Sequence, residues 1–348
     1  MSENETQCTL FNKDIYKCNV IIALKRTTGS LSLVGCCFMI GTIWLFRKYT
    51  ILSQRLILYL SIAALFDAIG YIIGDMTPDG TTCDFEAWWM TYFDWTVLMW
   101  VSCITFNLYM NVVKQRRTEK YEKFYHLLSW VCPPLLFSLL PLIGDNYGPA
   151  GAWCWIKHTS TVWRFLIWYV PLFLLILAMF GGYSYIIYFL KKRISSWQGT
   201  YDPDEERTVQ LIKEDIKVLK AYPFIFLILS IFPFILRIHN AFTAEGTDIF
   251  GLWVMTALTA PLQGAVNAVV FGLDPETRTK LTWAQIQLAW ASRFSHSAVH
   301  EYPTVFNNPL DSPTSGESVI NPVNTEAVRR SSSFDQKQRY GSLNLEEN

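Results

Sequence analysis

Seven long, mostly apolar stretches separated by short polar loops recur along this 348-residue chain, and they constrain its fold more than any other feature. A helix needs roughly 20 such residues to cross about 30 Å of hydrocarbon. The stretches run from about Thr27 to Phe46, Leu52 to Gly74, Ala87 to Val113, Phe124 to Ile143, Trp163 to Leu190, Val218 to Asn240 and Asp248 to Gly272. Strands of an outer-membrane barrel would instead alternate in polarity over about 10 residues, so a barrel is excluded. With 51% hydrophobic residues against 17% charged, lipid rather than water is the expected solvent for most of the chain. The expected fold is therefore all-α, a seven-transmembrane helix bundle over 27–272. An extracellular segment, 1–26, precedes it. A short interfacial eighth helix, 273–294, and a disordered cytoplasmic tail, 295–348, follow it.

Pro133, Pro134, Pro141, Pro171, Pro223, Pro233 and Pro261 fall inside the spans and predict kinks rather than ends, because neighbouring groups in a membrane bundle satisfy the freed carbonyls. Residues 1–26 lack the charged start, short apolar core and small-residue cleavage site of a signal peptide, so the first span is expected to act as its own insertion signal.

Basic residues set the orientation. One set of loops holds Arg47, Lys48 and Arg55, then Lys114, Arg116, Arg117, Lys120 and Lys123, then Lys191, Lys192, Arg193, Arg207, Lys213, Lys217 and Lys220. The opposite loops carry only Lys157 and Arg164, which puts the amino end outside and the carboxyl end in the cytoplasm of a plasma-membrane protein. Lys13, Lys17, Lys25 and Arg26 argue the other way and are outnumbered. On the oxidising side lie Cys83 and Cys154, a predicted disulfide that would pin the second outer loop to the third helix. Cys8 and Cys18 are a second candidate pair, and Asn4-Glu5-Thr6 is a glycosylation triplet on the same side. Cys36, Cys37, Cys103 and Cys132 read as small apolar fillers.

Charges inside spans are expensive and by default face the bundle interior. Asp94 falls about two turns into the third span, Arg237 near the outer end of the sixth, and Arg164 opens the fifth; with Lys157 in the loop they are the candidate lining of an outward, ligand-binding cavity. Arg164 has a competing reading as an interface anchor, and Asp67 reads as a buried hydrogen-bond hub. The seventh span has no lysine for a retinal Schiff base. There is no phosphate-cradling loop, and His126, His158, His239, His296 and His300 are scattered, so neither metal, cofactor nor enzyme chemistry is expected. A net charge of +0 gives no footprint for nucleic acid.

In the tail, Trp283, Ile286 and Trp290 share one helical face, as an interfacial helix against membrane lipid requires. Beyond Ser295 the composition is that of a disordered segment, and Arg329-Arg330 followed by Ser331, Ser332 and Ser333 is a pattern for kinases that read paired arginines.

The stretch Asn107-Leu108-Tyr109-Met110 through Glu119-Lys120-Tyr121-Glu122-Lys123-Phe124-Tyr125 to Ser129-Trp130-Val131-Cys132-Pro133 resembles the cyclic-AMP-receptor-like family of seven-transmembrane G-protein-coupled receptors. Trp153-Cys154-Trp155-Ile156 is similar to that family's second outer loop, and Trp163-Arg164-Phe165 before Pro171 to the start of its fifth helix. Gln263-Gly264-Ala265-Val266-Asn267 with Val270-Phe271-Gly272 resembles the seventh-helix pattern. The Asp-Arg-Tyr and Asn-Pro-x-x-Tyr motifs of rhodopsin-like receptors do not occur at the ends of spans three and seven. The resemblance implies that an extracellular ligand, a small anion such as a cyclic nucleotide among the candidates, opens a cytoplasmic crevice for a heterotrimeric G protein. Lys114, Arg116, Arg117 and Lys120 stand at its mouth, and kinases and arrestin-like proteins are expected at the tail. The competing class is a secondary transporter, with Asp67, Asp94 and Arg237 as its relay.

Overall fold

The computed structural model describes residues 10–11, 14–74, 79–114, 116, 118–150, 153–157, 159–196, 221–243 and 248–294. Its elements are α1 (Ile15–Leu45), α2 (Leu52–Ile73), α3 (Thr81–Val112), α4 (Glu122–His126, Leu127–Val131 and Cys132–Leu139), a hairpin of β1 (Tyr147–Pro149) and β2 (Cys154–Ile156), α5 (Thr161–Arg164, Phe165–Tyr169 and Val170–Ser196), α6 (Ala221–Leu229 and Ile231–Phe242), α7 (Phe250–Thr259, Ala260–Leu262 and Gln263–Leu273), α8 (Pro275–Lys280) and α9 (Trp283–Phe294). Six helical stretches among the described residues are long and apolar enough to cross a membrane.

The seventh, α3, is diluted by Asp84, Glu86, Asp94, Asn107 and its tryptophans, and it tolerates them because it faces protein more than lipid. It packs against α2, α4, α5, α6 and both strands of the hairpin. A helix surrounded by helices needs no uniformly apolar surface. Around it α1 packs on α2 and α7, α5 on α6, and α6 on α7.

Prolines mark the irregular turns. In α4 a π-helical turn over Leu127–Val131 immediately precedes Pro133 and Pro134, and in α5 another over Phe165–Tyr169 precedes Pro171. The wider turn relieves the clash of the proline ring with the carbonyl four residues back. Pro261 sits in a 3-10 turn within α7, and α6 is interrupted at Ser230 before Pro233. Pro141 departs from the expected kink: it lies in the closing 3-10 turn Leu140–Leu142 and ends the helix, because nothing helical follows it before the hairpin.

The first helix begins at Ile15, well before the Thr27 boundary that hydropathy suggests. Hydropathy locates hydrocarbon, not helix ends. Asp14 caps the start by accepting from the Lys17 amide at 3.3 Å, and Lys25 is wholly buried, donating to the Gly74 carbonyl at 2.8 Å. At mid-membrane α1 and α7 approach through glycines: a Cβ on Gly264 would stand 2.5 Å from Cys36 Sγ, and one on Gly35 would stand 2.9 Å from the Gly264 carbonyl oxygen. Small residues give backbone approach where lipid offers no hydrophobic drive. Ser32 and Thr28 use it, donating to the Pro261 carbonyl and, at 3.0 Å, the Ala257 carbonyl.

Beyond α7 Asp274 caps α8 by accepting from the Thr277 amide at 3.1 Å. Trp283, Trp290 and Phe294 are exposed and Ala289 is buried, so α9 presents its aromatic side outward as an interfacial helix does. Arg293 fixes α9 beneath α1 by donating to the Trp44 carbonyl and lying 4.8 Å over the Trp44 ring.

Candidate functional site

The hairpin packs against α3. Its register pairs Tyr147 with Ile156, Gly148 with Trp155 and Pro149 with Cys154, and the Cys83–Cys154 disulfide fastens it to α3 with a Cα separation of 5.3 Å. Each exposed edge finds a partner. Glu86 on α3 accepts from the Cys154 amide at 3.4 Å, and the Tyr147 hydroxyl donates to the Ser138 carbonyl at 2.8 Å. Lys157, placed by the sequence among the ligand candidates, bridges Asp145 at 3.0 Å and Asp79 at 3.1 Å. The hydrogen bond to Asp145, with Asp79 beside it, holds its amine above the ordinary lysine range.

Arg164 is buried, 5% exposed, and gives two hydrogen bonds to the Ile156 carbonyl, from Nε at 2.9 Å and Nη2 at 2.6 Å. Its guanidinium also lies 5.5 Å over the Trp155 ring. The arginine that opens α5 thus grips the hairpin from the fifth helix. Arg237 on α6 lies against the other sequence feature of that loop: its guanidinium is 4.0 Å over Trp155 and 5.8 Å over Trp153. Among the described residues it makes no hydrogen bond or ion pair. Trp153 meets Trp253 of α7 edge-on at 5.3 Å, and Lys25 lies 5.6 Å over Trp153.

Asp94 is the opposite charge nearest in kind to Arg237, yet the two do not come within 4.0 Å. Asp94 also lies near Asp67 of α2. Asp67 is buried with one oxygen unpartnered, and Tyr71 is buried beside the pair. The structure therefore brings Arg237 onto Trp153 and Trp155 of the hairpin end with Asp94 within electrostatic range, engages Arg164 in holding that hairpin, and sets Lys157 between Asp79 and Asp145.

At the other end of the bundle Lys114, Arg116 and Lys120 are exposed between α3 and α4. Arg55 clamps α2 to α4 through Glu122, Nε to Oε1 at 2.6 Å and Nη2 to Oε2 at 2.8 Å. Lys48 is buried, donates to Thr277 Oγ1 at 2.8 Å and stands 3.5 Å from Glu276. Counting loop charges registered Arg55 and Lys48 only as orientation signals; the acids that capture them are far away in sequence. Cys18 is disulfide-bonded, while Cys8, Asn4, Arg117 and the serines at Ser331, Ser332 and Ser333 lie outside the described residues.

The architecture is that of a multi-pass membrane protein, a helical bundle whose hairpin is fastened to the third helix by a disulfide. The chain belongs to the slime mold cyclic AMP receptor family, whose pattern matches residues 11–259. It is 28% identical to the G-protein coupled receptor 1 of Arabidopsis thaliana over 268 residues, covering 75% of this chain and 80% of the relative. It is 25% identical to the cyclic AMP receptor-like protein A of Dictyostelium discoideum over 71% of this chain and 62% of that protein. With G-protein coupled receptor 157 of Rattus norvegicus it shares 24% identity over 72% of this chain and 81% of the relative.

Proposed function

We propose that this receptor converts binding of a small anionic extracellular ligand, a cyclic nucleotide foremost, into activation of a heterotrimeric G protein. One observation carries the ligand class: among the described residues nothing engages the N–H donors of Arg237, while its guanidinium lies over Trp155. A guanidinium so placed suits the paired oxygens of a phosphate or carboxylate. Arg164 serves the same pocket by holding the hairpin, and Asp94 stands below as the charge against which the ligand competes. Relatives named as cyclic AMP receptors and G-protein coupled receptors support both halves of the reading.

The amino end faces outside the plasma membrane in this reading, which the disulfide at the hairpin end supports, since thiols pair on the oxidising side. The exposed Lys114, Arg116 and Lys120 then face the G protein, with Arg117 in the same loop. Kinases and arrestin-like proteins act on the tail at Ser331, Ser332 and Ser333. The test is a G-protein dissociation assay in cells expressing the full chain, challenged with a panel of cyclic and linear nucleotides. A responding nucleotide should lose roughly 10- to 150-fold in potency in Arg237→Ala at equal surface expression. Equal potency in that variant would contradict the site.

A further inference from the structure

Arg237 is half-buried and within electrostatic range of Asp94, yet among the described residues the two do not pair. In a medium poorer than water an isolated guanidinium and carboxylate attract strongly, so their separation needs something that holds the arginine elsewhere. Trp155 is that support: its indole lies 4.0 Å under the guanidinium and is itself held by the β2 pairing, by Arg164 on its other neighbour, Ile156, and by edge contacts with Trp168 at 6.1 Å and Tyr169 at 6.3 Å. Stacking on an aromatic face uses the π surface of a guanidinium and leaves its in-plane donors open.

From this geometry we infer that Trp155 is a positioning residue which keeps Arg237 off Asp94 and so keeps an anion-binding fork open in the resting receptor. The inference rests on the anionic-ligand reading of the site and adds the residue that makes it available. Without the indole, Arg237 drops onto Asp94, forms the ion pair that is absent here, and closes its own site. Asp94 itself is then an internal competitor for the ligand's anion.

The test is an epistasis experiment with cyclic AMP as probe, using full-length receptor in nanodiscs and isothermal binding. Trp155→Leu should weaken binding on the order of 10-fold or more, a loss the size of one charge-assisted contact. Adding Asp94→Asn removes the competitor, so the double variant should recover to within about threefold of the parent. Trp155→Phe keeps a ring and should bind within about threefold. Asp94→Asn alone should bind at least as tightly as the parent, an outcome that does not depend on whether Trp155→Leu folds. Loss in Trp155→Leu that Asp94→Asn does not restore, or equal loss in Trp155→Phe, would overturn the inference by showing that the tryptophan only holds the hairpin together. A parent receptor that binds neither cyclic AMP nor inorganic phosphate would instead sink the anionic-ligand reading beneath it.

Discussion

Replacing Arg164 by alanine separates a residue that builds the pocket from one that lines it. The wild-type side chain gives two charge-assisted hydrogen bonds to one buried carbonyl, at 2.9 and 2.6 Å, and stacks at 5.5 Å on Trp155. A hydrogen bond involving a charged group contributes about 1.5–3 kcal/mol, and the second, sharing the same acceptor, adds less than the first. With the stacking and the orphaned Ile156 carbonyl, the truncation should destabilise the receptor by about 2–4 kcal/mol. Lysine supplies a point charge without the fork and should recover about half of that. The assay is thermal unfolding of purified receptor in one detergent, with and without a bound agonist. The loss should be present in the absence of agonist. A variant as stable as the parent that nonetheless loses affinity would refute this reasoning and make Arg164 a direct ligand contact.

Other expectations follow from the same geometry. The Cys83–Cys154 bond closes a 71-residue separation, for which chain entropy gives ~4 kcal/mol. Because α3 and α4 stay helical in the bilayer, about 2–3 kcal/mol should appear in thermal unfolding of Cys83→Ser, and the double serine variant should be no worse than either single. Reversing Lys114, Arg116 and Lys120 to glutamate should cut G-protein activation while agonist affinity holds; a parallel fall in surface expression would point to misfolding instead. Burial alone would raise the Glu276 carboxyl, but the Lys280 hydrogen bond and the Lys48 charge outweigh it and keep its pKa below the ordinary glutamate value. A depressed folded-state pKa gives stability that is present above the ordinary value and lost as pH falls through the lowered one. Hydrogen-exchange protection in α8, corrected for the intrinsic rate, should therefore fall below about pH 4.5, and Glu276→Gln should remove that step.

Much of the fold is legible in the sequence, because length and apolarity in lipid leave a chain few options. Helix ends are less so: α1 starts at Ile15 because Asp14 caps its first turn and Lys25 finds the distant Gly74 carbonyl, partners that hydropathy does not see. The irregular turns were signposted by prolines, although Pro141 ended a helix where Pro133 and Pro171 bent one. In the site, Arg164, Arg237 and Asp94 stood out by their cost in hydrocarbon. What they do there was not legible, since Arg164 finds a backbone carbonyl eight residues away and Arg237 an indole, and neither partner carries a charge that spacing would flag. The Trp-Cys-Trp triplet was visible only as a family resemblance; its tryptophans gained a physical role once the hairpin placed them under Arg237.

Ligand-driven nucleotide exchange is the property that separates a receptor from a transporter. Full-length receptor in nanodiscs, mixed with purified heterotrimeric G protein, should accelerate guanine-nucleotide exchange when an anionic agonist is added, and Arg237→Ala should respond only at far higher agonist. No exchange under any agonist, together with solute flux in liposomes that Asp67→Asn abolishes, would contradict the receptor reading and establish the transporter.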